Sequence, residues 1–198
     1  MVLSGLGTSQ PRRADVARSL EARGNTLGGF VVPCTAKPSD AEWPHSGVAA
    51  TAIVRQYGGM GLYAELGCFD AILAVCRRWH ELCVADPVAE HPFTHPGLHP
   101  QHTERLAAYL TEVTGGPALY TAGYGDESYV QRIHAGNGEH VDLDEICLRL
   151  FDRALADCGI PGEPAARLSA YFRSATEAMR AYGASADLVP ARLPLRMA

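Results

Sequence analysis

HPQHTERLAAYLTEVTGGP, residues 99–117, decides the fold class. Leu106, Tyr109, Leu110 and Val113 recur at the three- and four-residue spacing of one helical face, and His102 lies one turn before Leu106 on that face. Gly115-Gly116-Pro117 then stops the helix: glycine tolerates the left-handed turn that ends helices, and proline cannot continue one. The stretch predicts a helix from about Pro100 to Thr114.

Toward the N-terminus, Phe69, Ile72, Leu73, Cys76, Trp79, His80 and Cys83 follow the same periodicity, provided that His80 faces inward. Asp86-Pro87 ends this helix, because proline disfavours helical geometry in the residue before it. A turn rich in proline and histidine follows, His91-Pro92-Phe93-Thr94-His95-Pro96. Toward the C-terminus, a polar, glycine-rich passage (Tyr124-Gly125-Asp126-Glu127) leads through a short apolar piece, Val130 and Ile133, to His134. Gly136-Asn137-Gly138 breaks the chain again. Asp142-x-x-Glu145 resembles a capping box with Asp in place of Ser or Thr, and opens a helix through Ile146, Cys147, Leu150, Phe151 and Leu155. Gly159 and Pro161 close it. A last helix starts near Gly162-Glu163-Pro164 and buries Leu168, Phe172, Ala175 and Met179. No strand pair and no internal repeat is expected. The fold class is all-α, with about five helices and short connections.

The chain of 198 residues suits one domain. Residues 1–55 are rich in Gly, Ser, Pro, Ala and Arg without sustained periodicity and read as a low-order extension, although Asp15–Arg23 has the pattern of a short helix. The domain is expected over 56–183, followed by a tail over 184–198. The formal net charge of −5, without a basic stripe, argues against nucleic acid or an anionic membrane as partner. No apolar run is long enough to span a bilayer and no secretory signal is visible, so the expected location is cytoplasmic.

The six cysteines form no C-x-x-C pair, which removes the best support for zinc-ribbon and thioredoxin-like readings. The absence of C-x-x-C-H argues against covalent haem attachment. Cys76, Cys83 and Cys147 lie on apolar stripes, and the cysteines read as reduced, buried thiols.

Of the eight histidines, five cluster between His80 and His102. His91, His95 and His99 lie in the proline-rich turn and are expected to face solvent. On spacing alone His80 and His102 fit core histidines with satisfied nitrogens. Zinc held by His95, His99 and His102 is a second reading, opposed by the two prolines among them, which prevent one helix from presenting all three. A haem is a third. It needs an imidazole at a helix end, which His134 supplies, and an apolar slot, for which Phe93, Leu106, Tyr109, Ile133 and Leu150 are available. Spacing does not decide among these.

Residues 63–182 resemble the group II truncated haemoglobins of the globin superfamily, particularly an actinobacterial branch. FDAILAVCRRWHELCVADPV (69–88) resembles helix B with the end of helix A, and HPQHTERLAAYLTEVTGGP (99–117) resembles helix E with its Gly-Gly-Pro stop. YGDESYVQRIHAGNGEH (124–140) resembles the helix F region. LDEICLRLFDRALADCGI (143–160) and RLSAYFRSATEAM (167–179) resemble helices G and H. The resemblance implies a two-on-two helical sandwich holding a noncovalent haem b, iron protoporphyrin IX. Matched by position, His134 is the iron ligand. His80 stands where many relatives have a distal tyrosine, and Phe93 matches an aromatic packed on the haem. His102 and Leu106 match the distal positions of helix E, and Cys147 replaces a usual pocket tryptophan. Two common hydrogen-bond donors are thereby lost, and His80 and His102 are the candidates to replace them.

The function so implied is binding or transport of O2, NO or CO at a His-ligated iron, with NO dioxygenation or peroxide reduction as the redox activities in view. Whether the chain is an enzyme is left open. Gly58-Gly59-Met60-Gly61 does not fit a dinucleotide fingerprint, so electrons would come from an external reductase. A haem-free globin-like sensor or interaction module is the alternative, and a zinc protein built on residues 91–102 the third. Cys147 reads better as a small apolar filler than as a working thiol.

Overall fold

The computed structural model of the chain describes residues 61–198 and the short ladder residues Thr26, Leu27, Phe30 and Val31. Strand β1 (Thr26–Leu27) pairs antiparallel with β2 (Phe30–Val31), Leu27 opposite Phe30. Apart from this two-residue ladder every element among the described residues is helical, and the fold class is all-α as expected. The remainder of the expected extension over 1–55, and the short helix proposed for Asp15–Arg23, lie outside the described residues.

Eight α-helices are described: α1 (Leu62–Glu65), α2 (Cys68–Ala85), α3 (Glu90–Thr94), α4 (His102–Val113), α5 (Leu119–Gly123), α6 (Glu127–His134), α7 (Val141–Asp157) and α8 (Gly162–Met179). The four helices read from periodicity are all present as α2, α4, α7 and α8, and the short apolar piece that leads to His134 is α6. The three extra ones, α1, α3 and α5, are one-turn segments, too short to display a period. The capping box expected at Asp142 does not form. His140 is the N-cap of α7, no side chain caps that end, and Asp142 sits inside the first turn.

Helix α2 organises the domain, packing on both α4 and α7, while α7 also packs on α8. Two helix pairs are thus laid against each other. The core runs along α2 through Ile72, Val75, Cys76, Trp79, Leu82 and Cys83, and meets Leu110 and Val113 of α4 and Phe151 and Leu155 of α7. The far end of the α2–α7 contact is pinned by an ion pair, Arg78 Nε to Asp157 Oδ2 at 2.8 Å. No helix among the described residues is long and apolar enough to cross a membrane.

The chain punctuation works as its residues dictate. Asp86 is extended before Pro87, and its Oδ1 accepts the backbone N–H groups of Val88 and Ala89, which turns the chain into α3. Beyond α4, Gly115 has φ +91°, and a side chain on Gly116 would press within 2.8 Å of the Thr111 carbonyl oxygen.

Two expectations change. Cys68 is disulfide-bonded, so the cysteines are not all reduced thiols, whereas Cys76, Cys83, Cys147 and Cys158 are free. Residues 184–198, read as a tail, lie docked on the domain. Ser128 Oγ donates to the Pro190 carbonyl (2.8 Å) and accepts from the Leu193 N–H (2.9 Å), Val189 is buried, and the Ala198 N–H donates to the Val113 carbonyl (2.9 Å).

Candidate functional site

Three of the side chains singled out by sequence, His80, Phe93 and His102, come together where α2, α3 and α4 meet. His80 projects from the outer part of the α2 stripe, one residue beyond buried Trp79. The one-turn helix α3 carries Phe93 over it, and His102 opens α4. The rings form a triangle. His80 and His102 are 5.3 Å apart between centroids, and Phe93 lies 5.6 Å from each, edge-on. Trp79 backs this cluster, 5.0 Å from Phe93 and 5.2 Å from Phe172, and its indole N–H donates to the Cys147 carbonyl at 2.9 Å. Periodicity marked Trp79 as core; that its ring joins the site to α7 and α8 is a tertiary fact.

His102 does not have the satisfied nitrogens of an ordinary core histidine. Its Nδ1 is buried and has no hydrogen-bond partner among the described residues. Burial first, and then the charges that His80 and His134 would carry, lower its pKa to about 4. The ring is therefore neutral at physiological pH and carries one N–H and one lone pair.

His99 differs from its expected solvent-facing placement. It is half-buried, its Nδ1 accepts the Gln101 N–H (3.0 Å), and it lines a cavity of about 250 Å³ with His80, Phe93, Leu98 and His102. His91 and His95 are exposed, as expected. His95 Nδ1 accepts the Gly97 N–H, so His95 and His99 each turn to their own loop backbone. Among the described residues no group of three or more His, Cys, Asp or Glu could hold a metal, which leaves the zinc reading of His95, His99 and His102 without a site.

His134 is the last residue of α6. That helix is capped by Asp126, whose Oδ1 accepts the Tyr129 N–H at 2.8 Å, and the chain turns away at Gly136 with φ +79°. The imidazole is exposed, but it is not free to rotate: its Nδ1 lies 2.8 Å from the Val130 carbonyl oxygen. A carbonyl only accepts, so the proton sits on Nδ1 and the lone pair on Nε2, the arrangement of a metal-binding imidazole oriented by its other nitrogen. Its neighbour Ile133, expected as a slot-lining side chain, is 53 % exposed.

Leu106 and Leu150 are half-buried against the core. Tyr109 is buried, but its hydroxyl is spent elsewhere, donating to Glu127 Oε2 (2.9 Å) and accepting from Tyr171 (3.1 Å). Gln131 Nε2 donates to the other oxygen of Glu127, tying a buried carboxylate at the start of α6 into the core. Sequence reading missed this network, because a charged residue carries no apolar signal. It also missed Arg105, whose guanidinium lies 5.3 Å from the Tyr124 ring centroid and whose Nε is buried without a hydrogen-bond partner among the described residues.

A flat apolar ring carrying a metal ion fits these residues. Two imidazoles are available to it: His102 has a buried ring nitrogen without a hydrogen-bond partner among the described residues, and His134 is oriented by its backbone. Ile133, next to His134 in the chain, is exposed apolar surface that such a ring would cover. Arg105 would supply a cation for acidic substituents of such a ring.

Two packed helix pairs with a histidine fixed at the end of a short connecting helix define a globin. Residues 61–181 match the family model of the bacterial-like globins, and the chain belongs to that family. Its fold is similar to that of the group II truncated hemoglobin of Bacillus anthracis (TM-score 0.54, 19% identity, covering 61% of this chain and 90% of that one). It is also similar to a thermostable hemoglobin of the actinobacterium Thermobifida fusca (TM-score 0.52, 25% identity, 61% and 96% covered). The hemoglobin of Chloroflexus aurantiacus is a third such structure (TM-score 0.53, 22% identity, 60% and 96% covered). No curated protein matches the chain.

Proposed function

We propose that this globin holds a haem b with His134 Nε2 as its protein ligand, and binds O2, NO or CO on the face bounded by His80, Phe93, His102 and Leu106. The observation that carries the reading is the His134 Nδ1–Val130 hydrogen bond, which leaves Nε2 as the ligating atom and raises its basicity. When bound, the haem supplies an iron whose open position takes a diatomic ligand. The rest of the work falls to the chain. Phe93 and Leu106 exclude water. His102, neutral because of its burial, offers one N–H to a bound ligand without bringing a charge into the pocket. His80 stands beside it as a second donor. Arg105 is the candidate partner for the propionate carboxylates. Transport of O2, or NO dioxygenation or peroxide reduction with electrons from an external reductase, all use this arrangement.

The test is an absorption spectrum of the full chain mixed with haem, then reduced and exposed to CO. A stoichiometric Soret band with a CO shift, lost in His134→Ala, is expected. A chain that stays colourless, or a Soret band untouched by that substitution, overturns the reading. Faster O2 release from His102→Leu supports the donor role, and an unchanged rate rejects it. A six-coordinate spectrum without added ligand would instead make His80 or His102 an iron ligand.

A further inference from the structure

We infer that Cys147 and Cys83 form an oxidisable dithiol between α7 and α2, in which Cys147 reacts with a hydroperoxide and Cys83 resolves it into a disulfide. The placement comes from helix registration. Trp79 and Cys83 are four residues apart on one face of α2, and Cys147 and Phe151 are four apart on one face of α7. These faces meet: the Trp79 indole N–H donates to the Cys147 carbonyl at 2.9 Å, and the Trp79 and Phe151 rings are 6.0 Å apart. One turn beyond Trp79, the thiol of Cys83 lies against that of Cys147. Both are free, Cys83 fully buried and Cys147 half-buried, so Cys147 is the nearer of the two to solvent and Cys83 the sheltered one.

The chemistry of the two sulfurs differs accordingly. Contact with Cys147, then burial, pushes the Cys83 thiol up, so it keeps its proton. Donation from Cys83 lowers Cys147 against its own partial burial, so of the two sulfurs Cys147 is the one that gives up its proton more readily. A second pair behaves as a natural control. Cys76 and Cys158 also sit on α2 and at the end of α7, but both are pushed up, chiefly by burial.

The steps balance as follows. The Cys147 thiolate attacks one peroxide oxygen. The S–O bond forms, the O–O bond breaks, sulfur loses two electrons, and the departing hydroxide takes a proton to become water. The Cys83 sulfur then attacks Cys147 Sγ. The S–S bond forms, the S–O bond breaks, and the hydroxyl leaves as water with the Cys83 proton. One peroxide is reduced, two thiols are oxidised, and the product staples the helix bearing His80 to α7.

The measurement needs no haem, so it fails or succeeds apart from the proposed cofactor. The full chain is treated with equimolar hydrogen peroxide and peptide-mapped. A Cys83–Cys147 disulfide, reversed by a dithiol reductant, is expected. In Cys83→Ser a sulfenic acid trapped at Cys147 by a dimedone probe should accumulate, and in Cys147→Ser Cys83 should stay reduced. In the unsubstituted chain Cys147 should alkylate on the order of tenfold faster than Cys76 or Cys158. Equal alkylation rates overturn the proposal without reliance on a variant that folds. So does peroxide-treated protein that retains both thiols or carries Cys147 only as sulfinic acid.

Discussion

The two sides of the proposed haem site are built in opposite ways. On one, His80, Phe93 and His102 are locked in an aromatic cluster continuous with the core through Trp79, which is itself hydrogen-bonded to α7. On the other, His134 and Ile133 stand exposed at the end of α6, and the histidine is fixed by one backbone hydrogen bond. The comparison teaches that the His80–Phe93–His102 wall is shaped by folding itself, whereas at His134 only the direction of the imidazole is set, so that under the proposed function its remaining contacts would come from what it binds.

Substitutions on each face should separate these two kinds of dependence. The largest effect on binding is expected from His134→Ala, with loss of tight haem retention in a gel-filtration assay and almost no change in the thermal midpoint of the haem-free chain. A large drop in that midpoint would put His134 in the fold rather than the site. The largest effect on stability is expected from Trp79→Ala, which empties a buried indole volume and should cost roughly 3–5 kcal/mol in denaturant titration. A cost near that of a surface change would dissolve the contrast between the faces. Tyr109→Phe tests the anchor of α6: it removes one donor to buried Glu127 and should cost about 1–3 kcal/mol.

A smaller effect is a pH dependence. His102 is held below its ordinary 6.5, at about 4, because the fold buries it and places His80 and His134 near. A group lowered in the folded state contributes stability that is fully present above the unfolded value and is lost as pH falls toward the folded one. The denaturation midpoint should therefore fall between about pH 6.5 and 4 by more in the unsubstituted chain than in His102→Leu. Parallel pH curves for the two would show that His102 is not held neutral. The smallest effect belongs to the surface. Arg77→Ala breaks an exposed pair with Glu104 and should change stability by less than about 1 kcal/mol.

Much of this was legible in the sequence, for identifiable reasons. The α2 and α4 stripes each bury one face, so period alone finds them and places His80 and His102 on the inner side. Gly115-Gly116-Pro117 and Asp86-Pro87 mark ends whose backbone geometry permits little else. Glu127 was invisible, because its burial depends on donors from Tyr109 and Gln131 that only the folded chain assembles. The unpartnered Nδ1 of His102 and the meeting of Cys83 with Cys147 are likewise properties of helix against helix. The docking of residues 184–198 escaped notice because that segment bonds through backbone groups and Ser128, which leave no periodic trace.

The family match ends at residue 181, yet Ser128 and Arg132 of α6 bond to the carbonyls of Pro190 and Val189. A version of this globin trimmed to the family boundary would keep every proposed pocket residue and still lose the segment that holds α6, the helix bearing His134. Weaker cofactor grip in such a shortened chain would then reflect a loosened support, with the ligating atom untouched.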